Sequence, residues 1–296
     1  MTDVSDPTIV TTEPLTAIEG LARRPWRNLM HNPVGVAAMA YLLAVTLLAI
    51  FAPLIAPYDP LHQNLLAIFQ SPSTTHLLGT DDLGRDVLSR LIYGARVSMA
   101  VGVISVGFSL VIAVPIGFLA GYRGGLLDRL VQILVDVMLA IPPLILVFAI
   151  AGVLGPSVTN LIIALAVFFV PLFMRLTRQE TNYLRHSQLV EAERALGLTE
   201  YSIAWRHVLP NIASALTVQV AANIGIAIIA EAALSFLGLG VRPPSASWGV
   251  MLRTSYEYMT SHPFLLVPPA VAVLLTVLAF NLLADALRDA FGQGGR

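Results

Sequence analysis

The sequence predicts an all-α membrane protein with six transmembrane helices. Hydrophobic residues make up 56% of the 296-residue chain and charged residues only 12%, whereas soluble domains carry about 25% charged residues. The mean hydropathy of +0.78 agrees with this composition. Six segments also contain the roughly 20 apolar residues that a helix needs to cross a bilayer. The chain length favours one compact unit rather than a string of domains.

The six predicted spans differ in their polar content. They cover about 33–57, 97–121, 130–153, 157–174, 212–237 and 264–286. Asp136 lies inside the third span and Glu231 inside the fifth, where ionisable side chains are costly and often functional. Internal Pro and Gly residues do not argue against these spans, because neighbouring helices can satisfy the backbone groups that they free.

The distribution of arginine predicts the orientation of the chain in the membrane. Twelve of the 17 Arg residues lie in the two tails and in the loops at 122–129 and 175–211, and the other five lie at 58–96 and 238–263. Basic residues are enriched on the cytoplasmic side. We therefore expect both termini and the 175–211 loop in the cytoplasm, and external loops at 58–96 and 238–263. Residues 1–24 are acidic and rich in Thr and Pro, which predicts a disordered cytoplasmic tail before a transmembrane domain at 25–292.

Two residue types are absent from the sequence, and both absences exclude classes of chemistry. The chain contains no Lys, so it cannot contain a G-x-x-x-x-G-K-[ST] phosphate-binding loop. It contains no Cys, which excludes disulfides and thiolate chemistry. The net charge of −1 gives no field for a nucleic-acid partner. We therefore predict no catalytic residue, metal or cofactor bound by this chain, and any ATP and Mg²⁺ must be bound by partner subunits.

The polar loop at 175–211 predicts two short helices joined at a glycine. Ser187 and Thr199 are suitable N-caps, and Gly197 follows the first helix where a left-handed residue closes it. Apolar residues at helical spacing predict one stripe on each helix: Leu189, Ala192, Ala195 and Leu196, then Tyr201, Ala204, Trp205 and Val208. Helices this short need a packing surface. They either lie on the headgroups or their own bundle, or dock into a groove of a cytoplasmic partner.

The same loop carries a resemblance to a known family. Glu191, Ala192, Gly197, Leu209 and Pro210, in EAERALG followed by LP, resemble the EAA loop of bacterial ABC importer permeases. Further matching segments are HLLGTDDLGRDVLSRLIYGARVS, AGYRGGLLDRLVQILVDVMLAIPPLIL, EAALSFLGLGVRPPSASWGVML and LTVLAFNLLADALRDAF. Together they cover about 25–292 and resemble the second permease subunit of the dipeptide, oligopeptide and nickel branch, the DppC/OppC type. One position departs from the motif, since Glu193 stands where the family usually has Ala.

The resemblance implies a type I ABC importer permease fold and a set of partners. These are a second homologous permease, two ABC ATPases that use ATP and Mg²⁺, a solute-binding protein outside the cell and the inner membrane itself. In the family the EAA loop forms a coupling helix in a cleft of the ATPase. The resemblance therefore implies ATPase contacts for this set of residues: Glu191, Ala192, Glu193, Ala195, Gly197, Tyr201, Trp205, Leu209 and Pro210. The implied cargo is a di- or oligopeptide, and nickel or another small solute remains the alternative.

The remaining ionisable residues favour structural interpretations. We expect Asp136 to pair with Arg129 and Glu231 to be structural, with Ser235 one turn on as a hydrogen-bond partner, although both could line the pathway. The TDDLGRDVLSR segment predicts a charged surface helix, and its Asp spacing matches no calcium loop. For Trp248 we expect a position near the outer interface.

Two other classes of function compete with the importer subunit. An intramembrane enzyme needs a nucleophile and base or a zinc motif, and the sequence has no H-E-x-x-H and no Cys. A stand-alone secondary carrier needs its own coupling-ion site and leaves the EAA-type loop unexplained. Co-purification distinguishes these classes, because an importer subunit is recovered with ATPases and a second permease.

Overall fold

The computed structural model describes residues 28–292, so the tail predicted at 1–24 lies outside the described residues. Its regular elements are α1 (Pro33–Ile50), α2 (Ala52–Ile55), α3 (Val87–Arg123), α4 (Gly125–Ala140), α5 (Pro143–Leu154), α6 (Val158–Arg185), α7 (Gln188–Ala195), α8 (Glu200–Ile203), α9 (Leu209–Phe236), α10 (Trp248–Glu257) and α11 (Val267–Gly292). A π-helical turn at Ala204–Val208 joins α8 to α9, and a 3₁₀ turn at Pro263–Leu265 precedes α11. Within residues 28–292 the regular elements are helices, and the one β pairing is an isolated bridge between Thr80 and Asp86.

Within residues 28–292, five stretches of helix are long and apolar enough to cross a membrane, and a bent pair makes six if its two helices count as one span. α4 and α5 meet at an angle of 86°. The break follows from Pro142 and Pro143, because a proline lacks the amide donor and disfavours helical geometry in the residue before it. The third span, expected as one run at about 130–153, is therefore not a continuous helix.

The bundle is organised around α3, which packs along α6. Gly117 and Gly121 let the two backbones approach each other. A Cβ atom added at Gly117 would lie 2.7 Å from the carbonyl oxygen of Met174, and one at Gly121 would lie 2.6 Å from that of Arg178. Two small residues four apart are typical of close helix packing in membranes. α9 packs on α3 and α11, and α1 lies against α11 and α3.

The core lies between α3, α6 and α9. Phe169, Phe173 and Leu234 are fully buried there. Large apolar side chains such as Val111 and Val153 remain 74% and 88% exposed. Such exposure is expected of a helix that faces lipid, because lipid tails solvate apolar side chains without the cost that water imposes.

The two ends of α3 define two polar regions. The end at Asp86 is covered by residues 56–96 and 237–263, which we call the polar cap. The end at Arg123 lies near residues 175–211, which we call the coupling loop. In the polar cap, Arg85 and Arg90 are 4% and 2% exposed. The prediction of a charged surface helix for TDDLGRDVLSR is wrong, because the two arginines of this segment are buried against carboxylates of the same loop.

Candidate functional site: the coupling loop

The coupling loop forms the two short helices that its sequence predicts, with caps at the expected residues. Ser187 Oγ accepts a hydrogen bond from the amide of Val190 at 3.4 Å, and Thr199 Oγ1 accepts one from the amide of Ser202 at 3.3 Å. Gly197 has a φ of +83°, a conformation that favours glycine. The amides of Gly197 and Leu198 donate to the carbonyls of Arg194 and Glu193, which closes α7.

The underside of the loop packs on the bundle. Val190, Ile203, Val208 and Ile212 form a buried cluster against side chains that include Phe118 and Leu184. In the second helix the expected single apolar face is divided, because Ala204 and Val208 are buried whereas Tyr201 and Trp205 are not. The π-helical turn contributes to this division, since an extra residue in a turn changes the face on which later side chains lie.

The outer surface of the loop presents large apolar side chains. Leu189, Leu196, Tyr201 and Trp205, which we call the coupling surface, are 57%, 80%, 75% and 55% exposed. The Tyr201 and Trp205 rings lie 6.1 Å apart between centroids. Apolar residues clustered in this way mark interaction sites, and aromatic residues are the commonest energetic anchors of protein interfaces.

A polar network links the two short helices to the bundle. Arg194 donates to both carboxylate oxygens of Glu200, at 2.7 and 3.2 Å. The Tyr122 hydroxyl donates to Glu200 Oε2 at 2.6 Å. The hydrogen bond to Glu200 raises the pKa of Arg194 above its usual value. These contacts cross the glycine turn, so no helical spacing in the sequence indicates them.

Glu193 faces the bundle rather than solvent. Its Oε1 lies 2.8 Å from His207 Nδ1, and its side chain is 13% exposed. Its second oxygen, Oε2, is buried and has no hydrogen-bond partner among residues 28–292. The substitution of Glu for the family's usual Ala therefore places a carboxylate against His207, on a part of α7 that is largely shielded from solvent.

The other predicted coupling residues fall into two groups. Glu191, Ala192 and Ala195 are exposed on α7. Leu209 and Pro210 are the first residues of α9, which continues directly from the π-helical turn at Ala204–Val208. The chain is helical without interruption from Glu200 to Phe236.

Glu231 is fully buried between three helices. The hydroxyls of Ser98 on α3 and Ser235 on α9 donate to its two carboxyl oxygens at 2.7 and 2.8 Å. The amide of Trp248 donates to Ser98 Oγ at 3.2 Å. Trp248 itself is 2% exposed, so it lies in the core rather than at an interface. The hydrogen bond between Glu231 and Ser235 is present as expected.

Asp136 does not pair with Arg129. Seven residues of helix rise about 10 Å, which is farther than an Arg side chain spans. The nearby cation is Arg178, which forms a two-pronged ion pair with Asp128 and also donates to Gln132 Oε1 at 3.1 Å. Asp136 lines a small cavity with Arg175 and Arg178.

Two family models match the chain. Residues 113–295 match the "Binding-protein-dependent transport system inner membrane component". Residues 20–72 match the "N-terminal TM domain of oligopeptide transport permease C". The chain therefore belongs to the family of binding-protein-dependent inner-membrane transport components.

Curated relatives place the chain more narrowly. It is 39% identical over 271 residues to the glutathione transport system permease protein GsiD of Pectobacterium atrosepticum, covering 90% of this chain and 89% of that one. It is 39% identical over 292 residues to the di/tripeptide transport system permease protein DppC of Pseudomonas aeruginosa, covering 97% and 94%. The chain is a multi-pass permease subunit of an ABC importer, of the DppC/OppC type, and not an enzyme.

A solved structure agrees in fold. The inward-facing MetNI methionine ABC transporter matches with a TM-score of 0.55 and 22% sequence identity, over 68% of this chain and 96% of that chain. At this identity the likeness concerns the fold alone, and it supports the type I importer permease architecture.

Proposed function

We propose that this chain forms one half of the translocation pathway of an ATP-driven importer for short peptides. The relatives named above are glutathione and di/tripeptide transport permeases. These cargoes are all short peptides. A second homologous permease forms the other half. Two ATPases bind ATP and Mg²⁺, and a solute-binding protein delivers the peptide.

The coupling surface is the observation that carries this proposal. Leu189, Leu196, Tyr201 and Trp205 remain exposed while the opposite side of the same helices is buried. An amphipathic helix with exposed apolar anchors suits a groove on a partner. We assign that groove to the ATPase subunit and the coupling loop to the cytoplasmic side, as the arginine distribution predicts.

The rigidity of the loop supports its role in transmitting motion. The buried cluster beneath α7, the ion pair between Arg194 and Glu200 and the contact between Glu193 and His207 fix both helices to the bundle. When ATP binding closes the ATPase dimer, a loop fixed in this way moves the bundle with it. The permease then alternates between inward-facing and outward-facing states.

Within this function we assign a structural role to Glu231. Its hydrogen bonds link α3 and α9 and, through Ser98, the start of α10. A buried carboxyl group with both oxygens satisfied by hydroxyl donors stabilises one packing arrangement. Glu231→Gln is expected to lower the yield of assembled complex, while assembled complexes keep their uptake rate. A normal yield with abolished uptake would instead place Glu231 in the pathway.

Reconstitution tests the proposed function. The chain is co-expressed with the permease, ATPase and binding-protein genes that accompany it, purified as a complex and placed in liposomes. We expect labelled di- and tripeptides to accumulate only with ATP and the binding protein. Recovery of the chain without ATPases, or uptake of nickel but no peptide, would contradict the proposal.

A further inference from the structure

The polar cap contains a cavity that the coupling loop does not explain. Its volume is about 590 Å³, within the range of roughly 300–1,000 Å³ that is typical of small-molecule sites. Tyr58, Asp59, Tyr93, Arg96 and Ser245 line it together with apolar side chains. It lies beside the first turns of α3, at the opposite end of the bundle from the coupling loop.

Buried side chains hold the walls of this cavity in place. Arg90, which is 2% exposed, donates to the carbonyl oxygens of Pro60 and Pro244 at 3.2 and 3.5 Å. Pro60 lines the cavity and Pro244 directly precedes the lining residue Ser245, so Arg90 joins two of the chain segments that form the cavity. The amide of Tyr58 donates to Ser89 Oγ at 3.0 Å, and the Tyr58 hydroxyl donates to the carbonyl of Thr75 at 2.8 Å. The cavity is therefore formed before any ligand arrives.

Two opposite charges face the cavity without neutralising each other. Within residues 28–292, the Arg96 guanidinium has no ion-pair or hydrogen-bond partner. Asp59 accepts one hydrogen bond, from the amide of Leu61 to Oδ1 at 2.8 Å, and it forms no ion pair in the same part of the chain. The cavity thus presents one cation and one anion. A short peptide in neutral water carries the complementary pair, an anionic carboxyl terminus and a cationic amino terminus.

We propose that this cavity is a receiving subsite for a short peptide, in which Arg96 binds the peptide's carboxyl terminus and Asp59 its amino terminus. Tyr58 and Tyr93 flank the peptide between them. The proposal rests on the proposed function and adds to it a site at which this subunit itself contacts cargo released by the binding protein.

Cross-linking in the assembled transporter tests the site directly. A photoreactive benzoylphenylalanine replaces Tyr93, and a radiolabelled tripeptide is supplied through the binding protein with ATP. Tyr256, which is 57% exposed in the polar cap but does not line the cavity, is the control position. We expect label at residue 93 but not at residue 256, with at least a fivefold loss of label when Arg96→Gln is added. Equal labelling at both positions would overturn the subsite.

Uptake by charge-neutralised variants provides the second test. Arg96→Gln and Asp59→Asn are compared with Arg242→Gln and Glu257→Gln, which neutralise exposed side chains outside the cavity. At saturating binding protein we expect about tenfold slower uptake for each cavity variant and normal uptake for both controls. The two control complexes are also assayed for ATP hydrolysis without peptide, and we expect them to match the wild-type rate.

The outcomes separate the subsite from the proposed function. If the wild-type complex imports no peptide, the proposed function fails. If it imports peptides and the cavity variants match their controls, only the subsite fails. Arg96 also lines an apolar groove between α1 and α3, which gives a lipid alternative. If the Arg96→Gln defect disappears in liposomes without anionic phospholipid, the cation binds a lipid headgroup and the subsite is likewise overturned.

Discussion

The polar cap and the coupling loop are both charged interruptions of an apolar chain, but they use their charges in different ways. In the polar cap, Arg85 and Arg90 are buried, and Asp81 contacts both at 2.7 and 3.4 Å. In the coupling loop, the ion pair between Arg194 and Glu200 stays largely exposed, and the aromatic rings of Tyr201 and Trp205 face outward. The cap thus pairs its buried arginines internally, whereas the loop leaves apolar area uncovered.

This difference indicates which region depends on a partner. Replacing a buried arginine leaves carboxylates and carbonyls without hydrogen-bond donors, and this lowers the free energy of unfolding. An exposed tryptophan makes few contacts within its own chain, so it contributes to the free energy of binding rather than to the stability of its own subunit. Mutations of the buried arginines in the cap should therefore affect stability, and mutations of the coupling surface should affect ATPase coupling.

The largest effect is expected for Arg90→Met in the polar cap. The substitution removes the donors to Pro60 and Pro244 and one cation from Asp81. We expect a loss of about 3 kcal/mol in the free energy of unfolding, measured from the thermal unfolding of the purified complex. The matched control is Arg242→Met, an exposed arginine of the same cap, which should change stability by less than about 0.5 kcal/mol. Equal effects of the two substitutions would remove the distinction between buried and exposed cap charges.

The next effect is expected for Trp205→Ala on the coupling surface, and it should appear in a different measurement. The ring is 55% exposed, so the isolated subunit should unfold at nearly the wild-type temperature. We expect the affinity for the ATPase subunit to fall by about 2 kcal/mol, or roughly 30-fold, as measured by titration of detergent-solubilised components.

The control for Trp205→Ala is Tyr256→Ala, an equally exposed aromatic residue of the polar cap. It should leave the ATPase affinity unchanged. If Trp205→Ala instead destabilises the isolated subunit and binds the ATPase normally, the coupling surface packs on the bundle or the lipid rather than on a partner.

A smaller effect is expected for Gly197→Ala. No atom would lie within 4 Å of the added Cβ, but φ is +83°, and an alanine in left-handed geometry costs about 1 kcal/mol. The strain should loosen the angle between α7 and α8 and lower the ratio of peptide imported to ATP hydrolysed. Gly152→Ala adds a Cβ in equally open space without a positive φ and should transport normally. A normal transport ratio for Gly197→Ala would show that this turn does not transmit the motion.

Local signals in the sequence predict the helices and caps of the coupling loop well. Ser187, Gly197 and Thr199 each act through neighbours within a few residues, so their identities are sufficient to place them. Five of the long apolar helices follow from local composition, because the thickness of the bilayer determines how long an apolar run must be to cross it.

Contacts between distant residues were not predictable in this way. The ion pair of Arg178 with Asp128 and that of Glu193 with His207 depend on which helices come together. The π-helical turn at Ala204–Val208 also shifts the face of later residues, so an ideal helical period assigns Tyr201 and Val208 to one side when they lie on two. The burial of Arg85 and Arg90 has the same origin, since charge alone gives no sign of the loops that cover them.

The smallest effect is expected for Asp82→Asn, and its dependence on pH distinguishes it. Burial, and next the charge of Asp81, raise the pKa of Asp82 above its usual value. The ionised carboxylate is therefore disfavoured in the folded cap, and this penalty disappears as the pH falls and the group protonates. We expect Asp82→Asn to unfold at the same temperature as wild type or slightly higher at about pH 7, with any gain vanishing as the pH falls below 3.8, the ordinary pKa of an Asp carboxyl. Glu257→Gln, an exposed control in the same cap, should show no such convergence. If Asp82→Asn destabilises the complex at neutral pH, the contact of Asp82 with Arg85 at 3.3 Å outweighs the desolvation of the carboxylate. The half-buried Asp82 would then stabilise the cap in the same way as the buried arginines do.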